Sequence, residues 1–280
     1  MNYIFSDLMC EISENTIKNN KKGDAGRINF RRNISKNIEF QNIVFDDGEK
    51  RHSIVYFTPQ IWEINDADFV LLREKLAEDI RSMAVGLIGN ENKNPSVLTV
   101  GLGNPFFSTD SLGPETVQNI KTASLGSKGA NILSVIPNVK MNTGIESAEH
   151  VVALVRRVCP HLVIVIDSLA ARSIDRLAST VQISNFGLAP GSGLGRMREK
   201  LDRETLGVPV ISLGIPTVVN LSTVMNDYFN KIGNLKFNSH ASDSLEKRKN
   251  FFITPKEIEL VIKSGAFLLS EAVNSAFLGY

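Results

Sequence analysis

An almost purely aliphatic run, Leu162-Val-Ile-Val-Ile166, is the feature that most limits how this chain can fold. Such a run is typical of a strand that other elements cover on both faces, as in the parallel sheets of α/β proteins. Between residues 96 and 220, further short apolar runs alternate with helical patterns, which predicts βαβ units. The sequence therefore predicts an α/β fold, built as a three-layer sandwich around a mostly parallel sheet.

An aspartate follows each of two predicted strands. Asp167 comes directly after the aliphatic run, and Asp110 lies in the loop that follows the strand predicted over Val97–Val100. Because active sites of open α/β sheets form outside the carboxyl ends of the strands, we expect both carboxylates in one crevice. Two such carboxylates can share a proton and activate a water molecule, which points to hydrolysis. Asp110 and Asp167 are therefore predicted to be a catalytic pair.

Each aspartate also has a structural interpretation. Asp110 precedes a predicted helix and could cap its first turn. Asp167 ends a buried strand, where an ionised carboxylate is costly unless it is paired, and Arg172 is an obvious charge partner. The sequence leaves both alternatives open.

Two glycine-rich loops accompany the predicted strands. The first, Gly101-Leu-Gly-Asn104, lacks the third glycine of a dinucleotide-binding loop, because Phe106 stands at that position. It is interpreted instead as a tight turn that aims Asn104 and Asp110 into a pocket. The second, Ala189–Gly195, can expose backbone N–H groups that hold the backbone of a substrate.

Composition limits the class of protein further. The 280 residues are 42% hydrophobic and carry a net charge of +1, so a sizeable core is feasible and whole-chain charge gives no argument for nucleic acid or a membrane. The two cysteines form no disulfide framework, which fits a reducing cytoplasm, and Cys159 is expected to be a buried small hydrophobe. The four histidines form no zinc motif.

Polar composition suggests how the chain is divided. Residues 1–50 are rich in Asn and Lys and are predicted to form a partly flexible arm. Residues 51–280 are predicted to form a single α/β domain with a polar insertion near 231–250. Within this domain, apolar spacing predicts a helix from Asp66 to Leu87, capped by Asp66 or Asp68.

Six ordered motifs between Val100 and about Asn220 resemble the spore germination protease family. They are Gly101-Leu-Gly-Asn104, Thr109-Asp-Ser-Leu-Gly-Pro114, Thr143-Gly-Ile-Glu146, Ile166-Asp-Ser-Leu-Ala-Ala-Arg172, Pro190-Gly-Ser-Gly193, and Glu204–Ile211 with Gly214–Val219. The resemblance implies a zymogen-type endopeptidase of the spore core, in the cytoplasm, that cleaves small acid-soluble spore proteins during germination. It also implies a fold similar to that of hydrogenase-maturation endopeptidases.

The resemblance implies a set of site residues and partners. The catalytic residues are Asp110 and Asp167, and the other expected site residues are Asn104, Gly191, Ser192, Gly193, Arg196 and Arg198 for substrate binding, with Arg172 and Glu146 in supporting roles. No cofactor is expected, although a metal ion bridged by the two aspartates stays open. The expected partner is the spore-protein substrate, without direct nucleic acid or membrane contact, and a homo-oligomer is expected.

Three departures from the family pattern bear on activity. Ala189 stands where the family commonly has histidine, and Pro137-Asn-Val-Lys-Met-Asn142 replaces a more glycine-rich segment. Ser6–Glu11 resembles the segment that normally follows the propeptide, so we expect a chain that is active as synthesised or restrained by something other than a propeptide. The alternative function is a catalytically weakened paralogue that binds spore-protein segments without efficient cleavage.

Overall fold

A computed structural model describes residues 6–18, 27–45, 51–89, 94–122, 130–189, 199–232 and 251–278. The strands are β1 (Arg27–Asn33), β2 (Glu39–Val44), β3 (His52–Phe57), β4 (Ser96–Gly101), β5 (Asn131–Val135), β6 (Leu162–Ala171), β7 (Thr180–Ser184), β8 (Val210–Asn220) and β9 (Phe252–Ile253). The helices are α1 (Met9–Lys18), α2 (Asp66–Ile88), α3 (Leu112–Gln118), α4 (Lys140–Thr143), α5 (Ser147–Val158), α6 (Arg203–Leu206), α7 (Leu221–Ile232) and α8 (Ile258–Leu278).

The described strands form one sheet in the order β1-β2-β3-β7-β8-β6-β4-β5, with β9 paired to β8. Strands β8, β6, β4 and β5 pair in parallel. Strands β7 and β2 run the other way, so β3 and β1 return to the common direction. Six of the nine described strands therefore share one direction, and the prediction of an α/β fold around a mostly parallel sheet is confirmed.

Helices cover both faces of this sheet. In β6, Ile164 and Ile166 belong to a core cluster that also contains residues of α2 and α8. The alternate residues Val163 and Val165 belong to a second cluster with residues of α5. Since successive side chains of a strand point to opposite faces, the aliphatic run of β6 is buried on both sides between two helical layers.

Helix α8 is apolar because it is a core helix. It is the one helix among the described residues that is long and apolar enough to cross a membrane by length and composition. Eleven of its 21 residues are buried, and they include Leu268, Leu269 and Val273 of the first core cluster. Packing against the sheet and α2 therefore accounts for its hydropathy.

Helix α2 has the predicted extent and a different cap. The structure places it over Asp66–Ile88, against the predicted Asp66 to Leu87. Its N-cap is Asn65, whose Oδ1 accepts a hydrogen bond of 2.9 Å from the backbone N–H of Asp68. The cap prediction of Asp66 or Asp68 was wrong, because Asn65, the residue just before Asp66, supplies the capping oxygen.

Part of the region expected to form a polar arm is packed into the sheet. Strands β1 and β2 extend the sheet beyond β3, and Leu8 and Cys10 lie in a third core cluster with Val55 and Leu169. The described residues of this region therefore contribute to the core. Most of the predicted polar insertion, 233–250, lies outside the described residues.

The two cysteines differ in burial. Cys159 is exposed, so its prediction as a buried hydrophobe was wrong; it is the C-cap of α5, with a φ of 50°, where the chain leaves the helix. Cys10 is the buried one, and burial raises the pKa of its thiol to about 12. This burial disfavours a thiolate nucleophile at Cys10 at neutral pH.

Candidate functional site

Asp167 lies on the central parallel strands at the point where β4 ends. Gly101, the last residue of β4, pairs with Ile166, and the N–H of Leu102 donates to the Ile166 carbonyl at 2.8 Å. Asp167 follows Ile166 and pairs with Gly214 of β8. Its residue exposure is only 5%, and its Oδ1 accepts a hydrogen bond of 2.8 Å from the N–H of Ser168. Asp167 is therefore a buried residue within β6, which continues to Ala171, and not at the strand end that the sequence predicted.

Asp110 is held by the tight loop that follows β4. The N–H of Asn104 donates to the Asp110 carbonyl at 3.0 Å and to its Oδ2 at 2.9 Å. Gly103 has a φ of +114°, as the tight-turn interpretation predicted, and an added Cβ would overlap the Asp110 carbonyl oxygen. Asp110 is not the N-cap of α3; that residue is Ser111. The Asp110 carboxylate therefore organises its own loop rather than capping a helix.

Neighbouring strands fix the loop that carries Asp110. The backbone N–H of Leu102, the first residue of the loop, donates a hydrogen bond to the carbonyl of Ile166. On the other side, Thr217 Oγ1 of β8 donates to the Thr109 carbonyl at 2.7 Å. The short 3₁₀ turn Ser108–Asp110 therefore lies beside β6 and β8. Both aspartates therefore lie near the point where β4 ends.

A cavity of about 350 Å³ opens beside Asp167. Its polar lining includes Asp7, Arg51 and Lys200, and its apolar lining includes Phe186. Asp110 is not among the described residues that line it. The cavity therefore adjoins one member of the predicted pair and is large enough for an amino-acid side chain.

The N-terminal segment forms one wall of this cavity. The N–H of Asp7 donates to the Ala170 carbonyl at 2.8 Å, and Asp7 Oδ2 accepts from the N–H of Ala170 at 2.9 Å. Gln182 Nε2 of β7 donates to the Asp7 carbonyl at 3.1 Å, and its Oε1 accepts from the N–H of Met9 at 2.7 Å. Sequence reasoning missed Asp7 as a cavity residue; the one signal was the family-like segment Ser6–Glu11.

Glu11 joins α1 to the end of β6. Its two carboxylate oxygens accept the backbone N–H groups of Arg172 and Ser173 at 2.7 and 2.9 Å. Burial raises the pKa of this carboxyl above its ordinary value, against the lowering effect of these hydrogen bonds and of the Ser6 hydroxyl. The stability linked to this carboxyl is therefore greatest at a pH below the unfolded-state value and falls as pH rises through the folded-state value.

Glu11→Ala is expected to lower the free energy of unfolding by about 2–4 kcal/mol, because two buried backbone N–H groups lose their acceptors. Urea unfolding at pH 7, followed by circular dichroism, measures this change. Glu14→Ala is the matched control on the same helix: Glu14 is half-exposed, and its carboxylate is 3.8 Å from Arg176. We expect the control to cost less than about 1 kcal/mol. Equal losses in the two variants would contradict the role of Glu11.

The other predicted site residues have mixed positions. Asn104 is buried, and its Oδ1 accepts from Asn142 Nδ2 at 3.2 Å, so its amide joins two loops. Glu146 is the N-cap of α5 and forms an ion pair of 3.0 Å with Lys140. Arg172 lies five residues past Asp167, and its backbone N–H donates a hydrogen bond to the Glu11 carboxylate. The remaining predicted residues lie outside the described residues: Gly191, Ser192, Gly193, Arg196 and Arg198.

In the described ranges, no group of three or more His, Cys, Asp or Glu side chains is arranged to hold a metal ion. A metal ion bridged by Asp110 and Asp167 alone stays a hypothesis, since two carboxylates give only part of the oxygen ligands that a divalent cation requires.

Known proteins similar to this chain in sequence share one family. The family described as "Germination protease" matches residues 7–247. The germination protease of Clostridium acetobutylicum is 30% identical over 99% of this chain and 95% of the relative; that of Caldanaerobacter subterraneus subsp. tengcongensis is 35% identical over 73% and 72%. The solved [NiFe] hydrogenase maturation protease HycI from Thermococcus kodakarensis aligns only weakly, with a TM-score of 0.38 and 14% identity over 70% of this chain and 99% of HycI. On the sequence matches, this chain belongs to the germination protease family.

Proposed function

We propose that this protein is an endopeptidase that cleaves small acid-soluble spore proteins during germination, with Asp110 and Asp167 as its catalytic pair. Membership of the germination protease family supports a spore germination peptidase. The observation that carries the aspartate mechanism is the placement of buried Asp167 beside a cavity, next to the strand end from which the Asp110 loop begins. The substrate and the spore-core location rest on the family alone.

In the proposed mechanism the two carboxylates divide the proton transfers. The ionised carboxylate takes a proton from water as the water oxygen attacks the carbonyl carbon of the peptide bond. The protonated carboxylic acid donates a hydrogen bond to the carbonyl oxygen, and a proton then passes to the leaving amine as the C–N bond breaks. General acid–base help of this kind contributes on the order of 10²–10⁴-fold in rate.

The glycine-rich loop around Gly191 to Gly193 is proposed to hold the backbone of the substrate. Its residue Ala189 lines the cavity beside Asp167, so the loop begins at the candidate site. Arg196 and Arg198 follow in the sequence and are proposed to meet acidic side chains of the substrate. A homo-oligomer without direct nucleic acid or membrane contact remains our proposal for the assembly.

The second candidate function is binding of spore-protein segments without efficient cleavage. The observation that favours it is again Ala189, which lines the cavity with a methyl group and stands at the sequence position where the family pattern commonly has the imidazole of histidine. Loss of that group would remove a proton carrier beside Asp167 and leave the cleft able to hold peptide.

A cleavage assay separates the two functions. The purified protein is expected to cut a small acid-soluble spore protein into defined fragments, with mass spectrometry giving the bonds cut. Fluorescence anisotropy with the same substrate, labelled, measures binding in parallel. Binding without fragments would favour the second function, and neither binding nor fragments would contradict both.

A further inference from the structure

Three carboxylates lie along one edge of β6, past the point where β4 ends. Each accepts a backbone N–H of this part of the chain: Ser168 donates to Asp167 at 2.8 Å, Ala170 to Asp7 at 2.9 Å, and Arg172 to Glu11 at 2.7 Å. The three donors are two residues apart, so their N–H groups point to the same side. Side-chain oxygens therefore occupy an edge on which a neighbouring strand would supply carbonyl oxygens.

Hydrogen bonds on two sides fix Asp7 on this edge. Its N–H donates to the Ala170 carbonyl at 2.8 Å, while its Oδ2 accepts the Ala170 N–H. On the other side, Nε2 of the buried Gln182 donates to the Asp7 carbonyl at 3.1 Å. The Asp7 carboxylate cannot turn away from β6 without leaving the N–H of buried Ala170 unsatisfied, which is costly. Its negative charge therefore has a fixed place.

Asp7 and Asp167 line the same cavity, and Glu11 is not among the described residues that line it. A cavity of about 350 Å³ is comparable in width to the Debye length, about 8 Å at physiological ionic strength. Salt therefore screens the two carboxylates from each other only in part. Because like charges repel, each carboxylate makes it harder for the other to stay ionised.

Arg51 and Lys200 are the two cationic residues among the described residues that line this cavity. The Arg51 guanidinium lies over the rings of Phe45 and Phe186, 5.8 and 5.5 Å from their centroids, which holds it on its own wall. With Asp7 ionised, two negative and two positive groups therefore face the cavity. Without the charge of Asp7, the positive groups are in excess.

We propose that Asp7 is a positioning residue of the candidate active site, whose fixed negative charge makes Asp167 a stronger base, an inference that rests on the proposed function. In the proposed mechanism an ionised carboxylate takes a proton from water. An ordinary aspartate is a weak base at neutral pH, and a general base works best when its proton affinity suits the operating pH. The charge of Asp7 makes the ionised form of Asp167 less favourable, so Asp167 takes the proton more readily. Asp7 thus acts on the reaction through Asp167.

Asp7→Asn tests this proposal, because asparagine keeps an oxygen for the N–H of Ala170 and loses only the charge. The measurement is kcat and KM for a peptide spanning a mapped cleavage site, across the pH range in which the variant stays folded. The acidic limb of the kcat profile is expected to move to lower pH by about one unit. On the plateau, kcat should fall about threefold with KM unchanged, because a weaker base takes the proton less readily.

Glu14→Gln is the matched control, since it removes the same charge from the same N-terminal segment. Glu14 lies 3.8 Å from Arg176 and is not among the described residues that line the cavity. The control is expected to change neither the limb nor the plateau, and Asp7→Glu, which keeps the charge, should restore the wild-type limb. A loss of kcat in Asp7→Asn without a shift of the limb would overturn the proposal. So would an equal shift in Glu14→Gln or in Asp7→Glu.

Carbon NMR of isotopically labelled aspartate carboxyl groups measures the same interaction without turnover. The Asp167 signal is identified by its loss in Asp167→Asn, and its titration midpoint is expected about one pH unit lower in Asp7→Asn than in the wild type. An unchanged midpoint overturns the proposal whether or not the protein cleaves peptide. A shifted midpoint in a protein that does not cleave contradicts the proposed function alone. Asp7→Ser, whose hydroxyl can also accept the Ala170 N–H, replaces Asp7→Asn if that variant does not fold.

Discussion

Asp167→Asn is expected to abolish peptide cleavage, with kcat falling by about 10³-fold or more, because an amide cannot take a proton from water. Asparagine has the shape of aspartate, and its Oδ1 can still accept the N–H of Ser168 that Asp167 binds at 2.8 Å. The substitution also removes a buried charge, so thermal unfolding should stay near that of the wild type. Hydrolysis of a labelled peptide and a melting curve measure the two effects.

Asp110→Asn is expected to have the same effect on cleavage. The double variant should be no slower than either single variant, because residues that act as a unit are not additive. Asp175→Asn is the control: this exposed aspartate lies in the short 3₁₀ turn after β6, and its replacement should leave kcat unchanged. Retention of cleavage within about tenfold in either catalytic variant would remove that carboxylate from the mechanism.

Gly113→Ala is expected to lower the free energy of unfolding by about 3 kcal/mol and the Tm by roughly 5 °C. Gly113 lies in the first turn of α3, where an added Cβ would overlap the carbonyl oxygens of Leu102 and Ile166. Both are backbone atoms, one just past the end of β4 and one within β6, so they cannot move aside as a flexible side chain would. Displacing α3 would also move the Asp110 loop, and cleavage should fall with stability.

Gly86→Ala is a control of opposite sign. Gly86 lies within α2, and an added Cβ there would meet no atom within 4 Å. Alanine is the better helix former, so this change should stabilise the protein by about 0.5–1 kcal/mol. Urea unfolding measures both variants. A Gly113→Ala protein as stable as the wild type would show that α3 does not need its close approach to β4.

Local patterns in the sequence predicted the centre of the fold better than its edges. The aliphatic run of β6 predicted a buried strand, and the structure continues that strand to Ala171. Strand β8 runs to Asn220 although it contains a proline, because Pro216 is tolerated at an irregularity of the register beside Leu169 and Ala170. Strand β1 was missed, since Arg31 and Arg32 are exposed and give no apolar alternation.

Some residues of the candidate site could likewise be predicted from local sequence patterns, and others could not. Asp110 and Asp167 could be predicted because Asp167 directly follows an aliphatic run and Asp110 lies in the loop after β4, although β6 itself continues past Asp167 to Ala171. Asp7 and Glu11 could not, because their partners Ala170 and Arg172 lie 163 and 161 residues away. No local pattern carries such a contact, and only the folded chain shows it.

The same separation sets an order of events when the chain is made. Asp7 and Met9 leave the ribosome first, and their partners in β6 and β7 follow more than 160 residues later. Until then the N-terminal segment that forms one wall of the cavity beside Asp167 lacks its hydrogen-bond partners in β6 and β7. Since a contact cannot form before both of its residues exist, an incomplete chain lacks a finished cavity. A nascent germination protease therefore stays without this cavity until β7 has been synthesised.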